Sequence, residues 1–158
     1  STGSDLSLSD LQGRWVLLFF GYTRCPDFCP LTLSDYRQVK RLLGEQADQV
    51  VFLYISFDGL RDTPELLANH LAIFDPEFLG MSGDDQTLSR IQPDYGFYYR
   101  RQLISESPAR YVVDHSTRSY IIAPTGRLVA SLTYQPPPDY TANLLRDFIA
   151  AATLTAQP

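Results

Sequence analysis

The sequence has little of what metal and redox chemistry uses: its 158 residues include two cysteines, two histidines and one methionine. A methionine-only copper carrier is excluded by the solitary Met81. Positive charge is also scarce, with 13 Lys and Arg against 18 Asp and Glu and a formal net charge of -5. Nucleic acid is therefore not an expected partner, because phosphate binding needs clustered basic side chains. The one adjacent arginine pair, Arg100-Arg101, reads as a solvated surface pair. No apolar run approaches the roughly 20 residues that cross a bilayer, and Ser1-Thr2-Gly3-Ser4 has neither part of a signal peptide. Gly21, Gly80, Gly83 and Gly96 stand apart, so there is no phosphate-cradling loop, and no serine sits in a nucleophile elbow. Repeats, linkers and low-complexity segments are missing too. The chain does not begin with Met and reads as a mature or trimmed domain.

What is present is an ordinary globular composition, 44% hydrophobic and 20% charged, which fits one domain with one sizeable core. The expectation is a single domain over residues 1–158, with 1–12 as a lead-in whose Leu6, Leu8 and Leu11 pack loosely, and 153–158 as a tail. Trp15 to Phe20 is apolar without alternation, as in a central strand buried on both faces. Gly21 and two prolines end it. A helix is expected from Pro30, with Leu33, Tyr36, Val39 and Leu43 on one face until Gly44. A second buried strand spans Val50 to Phe57, and Thr63-Pro64-Glu65 starts a helix with a stripe of Leu66, Leu67, His70, Leu71 and Phe74.

Phe78 to Met81 fits a short strand, and Asp84 or Asp85 opens a helix that Pro93 kinks or ends. Alternating strands and helices imply βαβ units around parallel strands. Later come Tyr111 to Val113, Ser119 to Ala123 and Arg127 to Tyr134, the last two joined as an antiparallel hairpin through Pro124-Thr125-Gly126. After Pro136-Pro137-Pro138, Asp139 caps a final helix with Tyr140, Leu144, Leu145, Phe148, Ile149 and Ala152 on one face. The fold class is α/β, thioredoxin-like, with a central mixed sheet flanked by helices and the cysteines in the first strand-to-helix loop.

Both cysteines lie in Gly21-Tyr22-Thr23-Arg24-Cys25-Pro26-Asp27-Phe28-Cys29-Pro30, at the carboxyl end of the first strand, where α/β sheets build sites. Thiols at this spacing, beside a helix amino end that favours thiolate, suit a reversible disulfide or a soft-metal chelate. The bland alternative is a structural cystine, although so short a loop would constrain little of the unfolded chain. His70, mid-helix among leucines, reads as a packed residue without chemistry. His115 follows a strand that the expected fold brings beside the cysteine loop. Cys25, Cys29 and His115 would satisfy a trigonal cuprous ion, whereas zinc wants a fourth ligand that Asp58 or Asp114 could supply. Each carboxylate has another role open to it: Asp58 as a turn cap, Asp114 as an orienter of His115.

The residues Gly21-Tyr22-Thr23-x-Cys25-Pro26-Asp27-x-Cys29-Pro30, Ser56-x-Asp58, Arg61-Asp62-Thr63-Pro64-Glu65 and Val113-Asp114-His115-Ser116 resemble the Sco (SenC) family, from about Gly13 to the final helix. That resemblance implies a thioredoxin-fold copper chaperone that helps assemble the binuclear copper centre of cytochrome c oxidase. It implies Cys25, Cys29 and His115 as copper ligands, for Cu(I) with Cu(II) left open, and Asp58 as an acidic residue near the site. Its partners would be the copper-centre subunit of the oxidase and a thiol reductant or second copper chaperone. The implied setting is the bacterial periplasm, held at the inner membrane by a segment outside this sequence, or else the mitochondrial intermembrane space. The chain departs from the family at Gly59, where proline is usual, and at Pro93; nothing carries over to Gln102–Arg110. The alternative is a periplasmic thiol-disulfide oxidoreductase with Cys25 and Cys29 as its catalytic redox pair, so enzyme status stays open. Such enzymes usually have two residues between their cysteines, and this chain has three. A peroxidase fits less well, since peroxiredoxins place threonine three residues before the attacking cysteine and Thr23 lies two before Cys25.

Overall fold

In the computed structural model, which describes residues 6–106 and 110–155, β1 (Trp15–Gly21) is buried along its whole length, as its unbroken apolar run predicts. β2 (Val50–Ser56) lies parallel beside it, Trp15 opposite Val50 and Gly21 opposite Ser56, and is equally buried. β3 (Leu79–Ser82) adds a parallel strand outside β2. On the other side, β6 (Ser119–Ile122) pairs antiparallel with β1 and forms the expected antiparallel hairpin with β7 (Leu128–Leu132), which has a register shift between Ile121 and Ile122. The sheet order is β3-β2-β1-β6-β7, a mixed sheet of the thioredoxin-like kind.

Helices α1 (Phe28–Leu43), α2 (Pro64–Ala72), α3 (Asp85–Tyr95) and α4 (Pro138–Thr155) surround it. α1 packs on α4 and α2 on β3. Successive side chains of β1 take opposite faces. Trp15 stacks on Phe148 of α4 at 5.6 Å, while Phe20 meets Tyr95 of α3 at 5.5 Å and Phe97 at 4.4 Å. Thr63 caps α2 by accepting from Leu66 N, and Asp84 caps α3 by accepting from Thr87 N, so Asp84 opens that helix.

Several expectations need correcting. Pro93 does not end α3; the helix runs through it to Tyr95 and stops where Gly96 turns left-handed at φ 63 and donates to Gln92 O. α2 leaves Leu66 exposed, so the stripe is carried by Leu67 and Leu71. Asp139 sits inside the first turn of α4, which begins at Pro138, and Tyr140 faces solvent. In the lead-in Leu6 and Leu8 are half-buried against the core, as expected, while Leu11, at the end of the 3-10 turn Leu8–Leu11, is buried. α4 continues beyond Ala152 to Thr155; residues 1–5 and 156–158 of the lead-in and tail lie outside the described residues.

The larger difference is β4 (Tyr99–Leu103), a strand absent from the sequence reading. It pairs antiparallel with β5 (Tyr111–His115) in a separate two-stranded sheet, Tyr99 opposite His115. Arg101 is accordingly no solvated surface residue. It makes a two-pronged ion pair with Asp85 at 2.8 and 2.9 Å and reaches Phe57 O at 3.3 Å. Arg100 is exposed, as expected.

Candidate metal centre

The cysteines stand at the join of β1 and α1. Cys29 falls in the first turn of α1, entirely buried at 0%, and Cys25 lies in the preceding turn at 9%. Asp27, formally the N-cap, makes no side-chain capping bond. Its place is taken by sulfur: Cys29 N donates to Cys25 Sγ at 3.4 Å, one of the otherwise unpaired donors of a helix start. Gly21 is needed here for space rather than for its backbone angles. A Cβ on it would lie 2.6 Å from both Cys29 Sγ and Tyr54 Oη, so only glycine lets that sulfur and phenol meet above the strand.

The two thiols are unequal. Cys25 is lowered to about 4, first by the hydrogen bond from the Cys29 thiol and then by backbone donors at the helix start, against the opposing effect of burial. Cys29 is pushed well above the ordinary thiol range, by burial first and then by the charge of its neighbour. The pair therefore carries one thiolate and one proton near neutrality. Burial likewise raises Tyr22 and Tyr54.

His115 closes the cluster. It is the last residue of β5, which runs two positions beyond the expected end at Val113, and its Nε2 lies 3.9 Å from Cys25 Sγ and 3.7 Å from Cys29 Sγ. Its Nδ1 is 2.9 Å from Ser116 O. A carbonyl only accepts, so Nδ1 carries the proton and the Nε2 lone pair is turned toward the sulfurs. Phe19, Tyr22 and Phe57 surround the ring with centroids at 6.3, 5.7 and 5.4 Å. The three ligand atoms lie within 4.8 Å of one another, and among the described residues this is the group of His, Cys, Asp and Glu that could hold a metal ion. A cavity of about 300 Å³, lined by Tyr22, Cys25, Phe28, Val113 and His115 among others, opens beside it.

Neither candidate carboxylate joins the group. Asp58 is fully buried at 0% and accepts from Arg61 Nε at 2.5 Å and from the Tyr111 hydroxyl. Asp114 and His115 are adjacent on a strand and so face opposite ways, leaving Asp114 exposed to accept from the Tyr98 hydroxyl while Ser116 orients the imidazole. Gly59, the departure from the family's proline, sits where a Cβ would come within 2.7 Å of Gly83 O; the turn packs too closely on the loop after β3 for any side chain. His70 stays in the α2 stripe, its ring 5.7 Å from Phe74 and 6.4 Å from Tyr54.

Three supporting residues escape the sequence reading. Arg61 lies 3.5 Å over the Tyr111 ring and donates to Tyr111 O at 3.1 Å, pinning β5 to the turn after β2. Asp62 binds the cysteine loop through Thr23. Tyr54 faces Cys29 across Gly21. No spacing rule marks any of them; Arg61-Asp62 stands only in the run that resembles the family.

Comparison with known proteins agrees with this architecture. The SCO2-like protein of Rickettsia felis is 30% identical over 125 residues, 79% of this chain and 61% of that protein, so the chain spans about six tenths of that relative. The copper-bound structure of ScoI from Bradyrhizobium japonicum superposes with a TM-score of 0.76 at 35% identity, covering 87% of each chain. The thioredoxin domain of a Bacteroides vulgatus thiol-disulfide oxidoreductase shares the fold at 16% identity and TM-score 0.61, covering 92% of this chain and 86% of that one. A family model described as SCO1/SenC matches residues 1–150, and the chain belongs to that family.

Proposed function

We propose that this chain is a copper-binding metallochaperone that holds Cu(I) between Cys25 Sγ, Cys29 Sγ and His115 Nε2 and passes it to the binuclear copper site of cytochrome c oxidase. The observation that carries the reading is the fixed imidazole: Nδ1–H donates to Ser116 O, so the Nε2 lone pair meets two sulfurs inside an aromatic collar. Two soft sulfurs and one nitrogen without a carboxylate suit a trigonal cuprous ion better than tetrahedral zinc. Copper is cargo here, released by ligand exchange with the recipient's own thiols. The reading puts the domain in the bacterial periplasm, anchored at the inner membrane by a preceding segment, with the mitochondrial intermembrane space as the alternative. No helix among the described residues is long and apolar enough to cross a membrane.

Titrating the reduced protein with Cu(I) against a competing chelator tests this. One equivalent should bind, and Cys25→Ser or Cys29→Ser should abolish it; binding that survives either change overturns the ligand set.

A second activity is favoured by the inequality of the thiols. Cys25, thiolate at neutral pH, can attack one sulfur of a recipient disulfide and release the other as a thiolate. Cys29, on losing its proton, then attacks Cys25 Sγ and frees the recipient's second thiol, leaving a Cys25–Cys29 disulfide. The same residues would thus ready the recipient and then fill it. An external thiol reductant must restore the pair.

A further inference from the structure

Asp62 is fully buried at 0%, and among the described residues no ion pair involves it. A buried carboxylate is costly unless its oxygens are well supplied with donors, and an apolar residue of similar size would generally pack as well. Its donors are unusually directed. Oδ2 accepts from Thr23 N at 2.9 Å and from Ser56 Oγ at 2.5 Å, and Oδ1 accepts from Thr23 Oγ1 at 2.6 Å. Ser56 Oγ in turn accepts from Asp58 N at 2.9 Å, and Asp62 N donates to Asp58 O at 2.8 Å. One end of this chain of bonds is the last residue of β2. The other is Thr23, two positions before Cys25, in the turn where Cys25 N donates to Tyr22 O at 3.2 Å.

The helix start after the cysteine loop is capped by Cys25 Sγ, so the sulfur must already be in place for the cap to form. We propose that Asp62 is a positioning residue for the thiol pair: by holding both donors of Thr23 it fixes the loop so that Cys25 Sγ meets the Cys29 amide, the Cys29 thiol and His115. Loosening the loop takes Cys25 Sγ away from the Cys29 amide that it accepts from at 3.4 Å in the reduced pair, and the pair, having lost that contact, gives up its electrons more readily. The inference deepens the copper reading and rests on it for what the positioning serves, but its main test needs no metal.

Metal-free protein is equilibrated with reduced and oxidised glutathione. The exchange is protein dithiol plus one glutathione disulfide giving protein disulfide plus two glutathione thiols, so two electrons pass from the cysteines to glutathione. Asp62→Ala should shift this equilibrium toward the protein disulfide by about tenfold or more, roughly 30 mV for a two-electron couple. Asp62→Asn should stay within about threefold, because its amide oxygen can take the two donors at Oδ2 while its NH2 donates to Thr23 Oγ1. Thr23→Val should reproduce part of the Ala shift and Thr23→Ser should restore the wild-type constant; this pair decides the matter should Asp62→Ala fail to fold. Cu(I) affinity should fall about tenfold in the variants that shift. Wild-type constants in folded Asp62→Ala, or in Thr23→Val, overturn the proposal. So does an Asn variant as impaired as Ala, which would assign the effect to charge. A wild-type protein that binds no Cu(I) would sink the copper reading alone and leave the glutathione constants to judge Asp62.

Discussion

The cysteines and the histidine of this site are held in place by different means. Cys29 sits in the first turn of α1 and Cys25 in the short loop that joins this helix to β1, a fully buried central strand, so the neighbouring chain sets where they stand. His115 ends β5, whose one strand partner is the polar, largely exposed β4. Among the described residues, no strand of the main sheet pairs with that hairpin. It is held by side chains instead: Asp58 and Arg61 on Tyr111, Arg101 on Phe57 O and Asp85, and the Phe57 ring stacked at 4.9 Å on Tyr99. The histidine's half of the site thus hangs on a buried polar clamp, whereas the cysteines' half has backbone and packing beside the bonds that Asp62 makes to Thr23. A clamp can be removed without touching the fold's core, and that makes the difference testable.

The largest effect should come from Arg61→Ala. It strips Asp58, fully buried, of its cation and leaves Tyr111 with neither the overlying guanidinium nor the bond to its carbonyl. Breaking a buried pair from one side typically costs about 3–5 kcal/mol. Urea denaturation should show a loss of that order, with Cu(I) affinity falling because His115 is no longer presented. A loss under about 1 kcal/mol, the size of an ordinary surface substitution, would mean the hairpin is held by its rings rather than by charge.

Next is His115→Ala, which removes the hairpin's contribution to the metal and spares both thiols. Deleting a partner beyond the ligands already costs a metal site about 10- to 100-fold, so loss of a ligand should exceed 100-fold in Cu(I) affinity. Oxidation of the Cys25–Cys29 pair should persist. Unchanged copper affinity would remove His115 from the ligand set and, with disulfide reduction intact, would favour the oxidoreductase activity over the copper-carrying one.

The pH dependence isolates the cysteine half. Cu(I) takes thiolates, and Cys25, lowered to about 4, is already one at neutral pH, whereas Cys29, raised, is not. Loading should release one proton, from Cys29, so the logarithm of affinity should rise by about one per pH unit between pH 6 and 8. Below about 4 a second proton must leave and the slope should steepen. A slope of two near neutrality would mean that the thiols are equivalent, and a flat profile that they are not the ligands.

The same division decides what could be read without coordinates. Trp15 to Phe20 announces a central strand because both its faces are apolar, and the glycine, prolines and helix stripe after it fix where the thiols must stand. β4 is illegible by comparison. Tyr99-Arg100-Arg101-Gln102-Leu103 has no apolar face, because its burial is supplied by ion pairing at Arg101 and ring contacts at Tyr99 rather than by a hydrophobic stripe. Polar contacts across long sequence separations, such as Asp58 with Tyr111 or Asp62 with Thr23, leave no periodic trace. His115 could be proposed as a partner of the cysteines from its place after a strand; its tautomer could not, since the Ser116 carbonyl that sets it is backbone. Pro93 misleads for a local reason. It lies in the last turn of α3, where little helix remains to be broken before Gly96 closes it.

The smallest effect should be that of Asp114→Asn. As the sequence neighbour of the imidazole, Asp114 is the natural guess for the group that orients it, yet strand alternation turns the two apart and leaves Asp114 accepting from Tyr98 and, at 3.5 Å, from Gln102. Asparagine keeps an acceptor for both. Stability should change by no more than about 0.5 kcal/mol, as for surface substitutions outside special sites, and Cu(I) affinity should stay within about threefold. A loss of tenfold or more would put Asp114 in charge of the ring despite its direction. The histidine would then be governed by its own strand, as the cysteines are by their neighbouring chain, and not by the clamp that Arg61 makes across the fold.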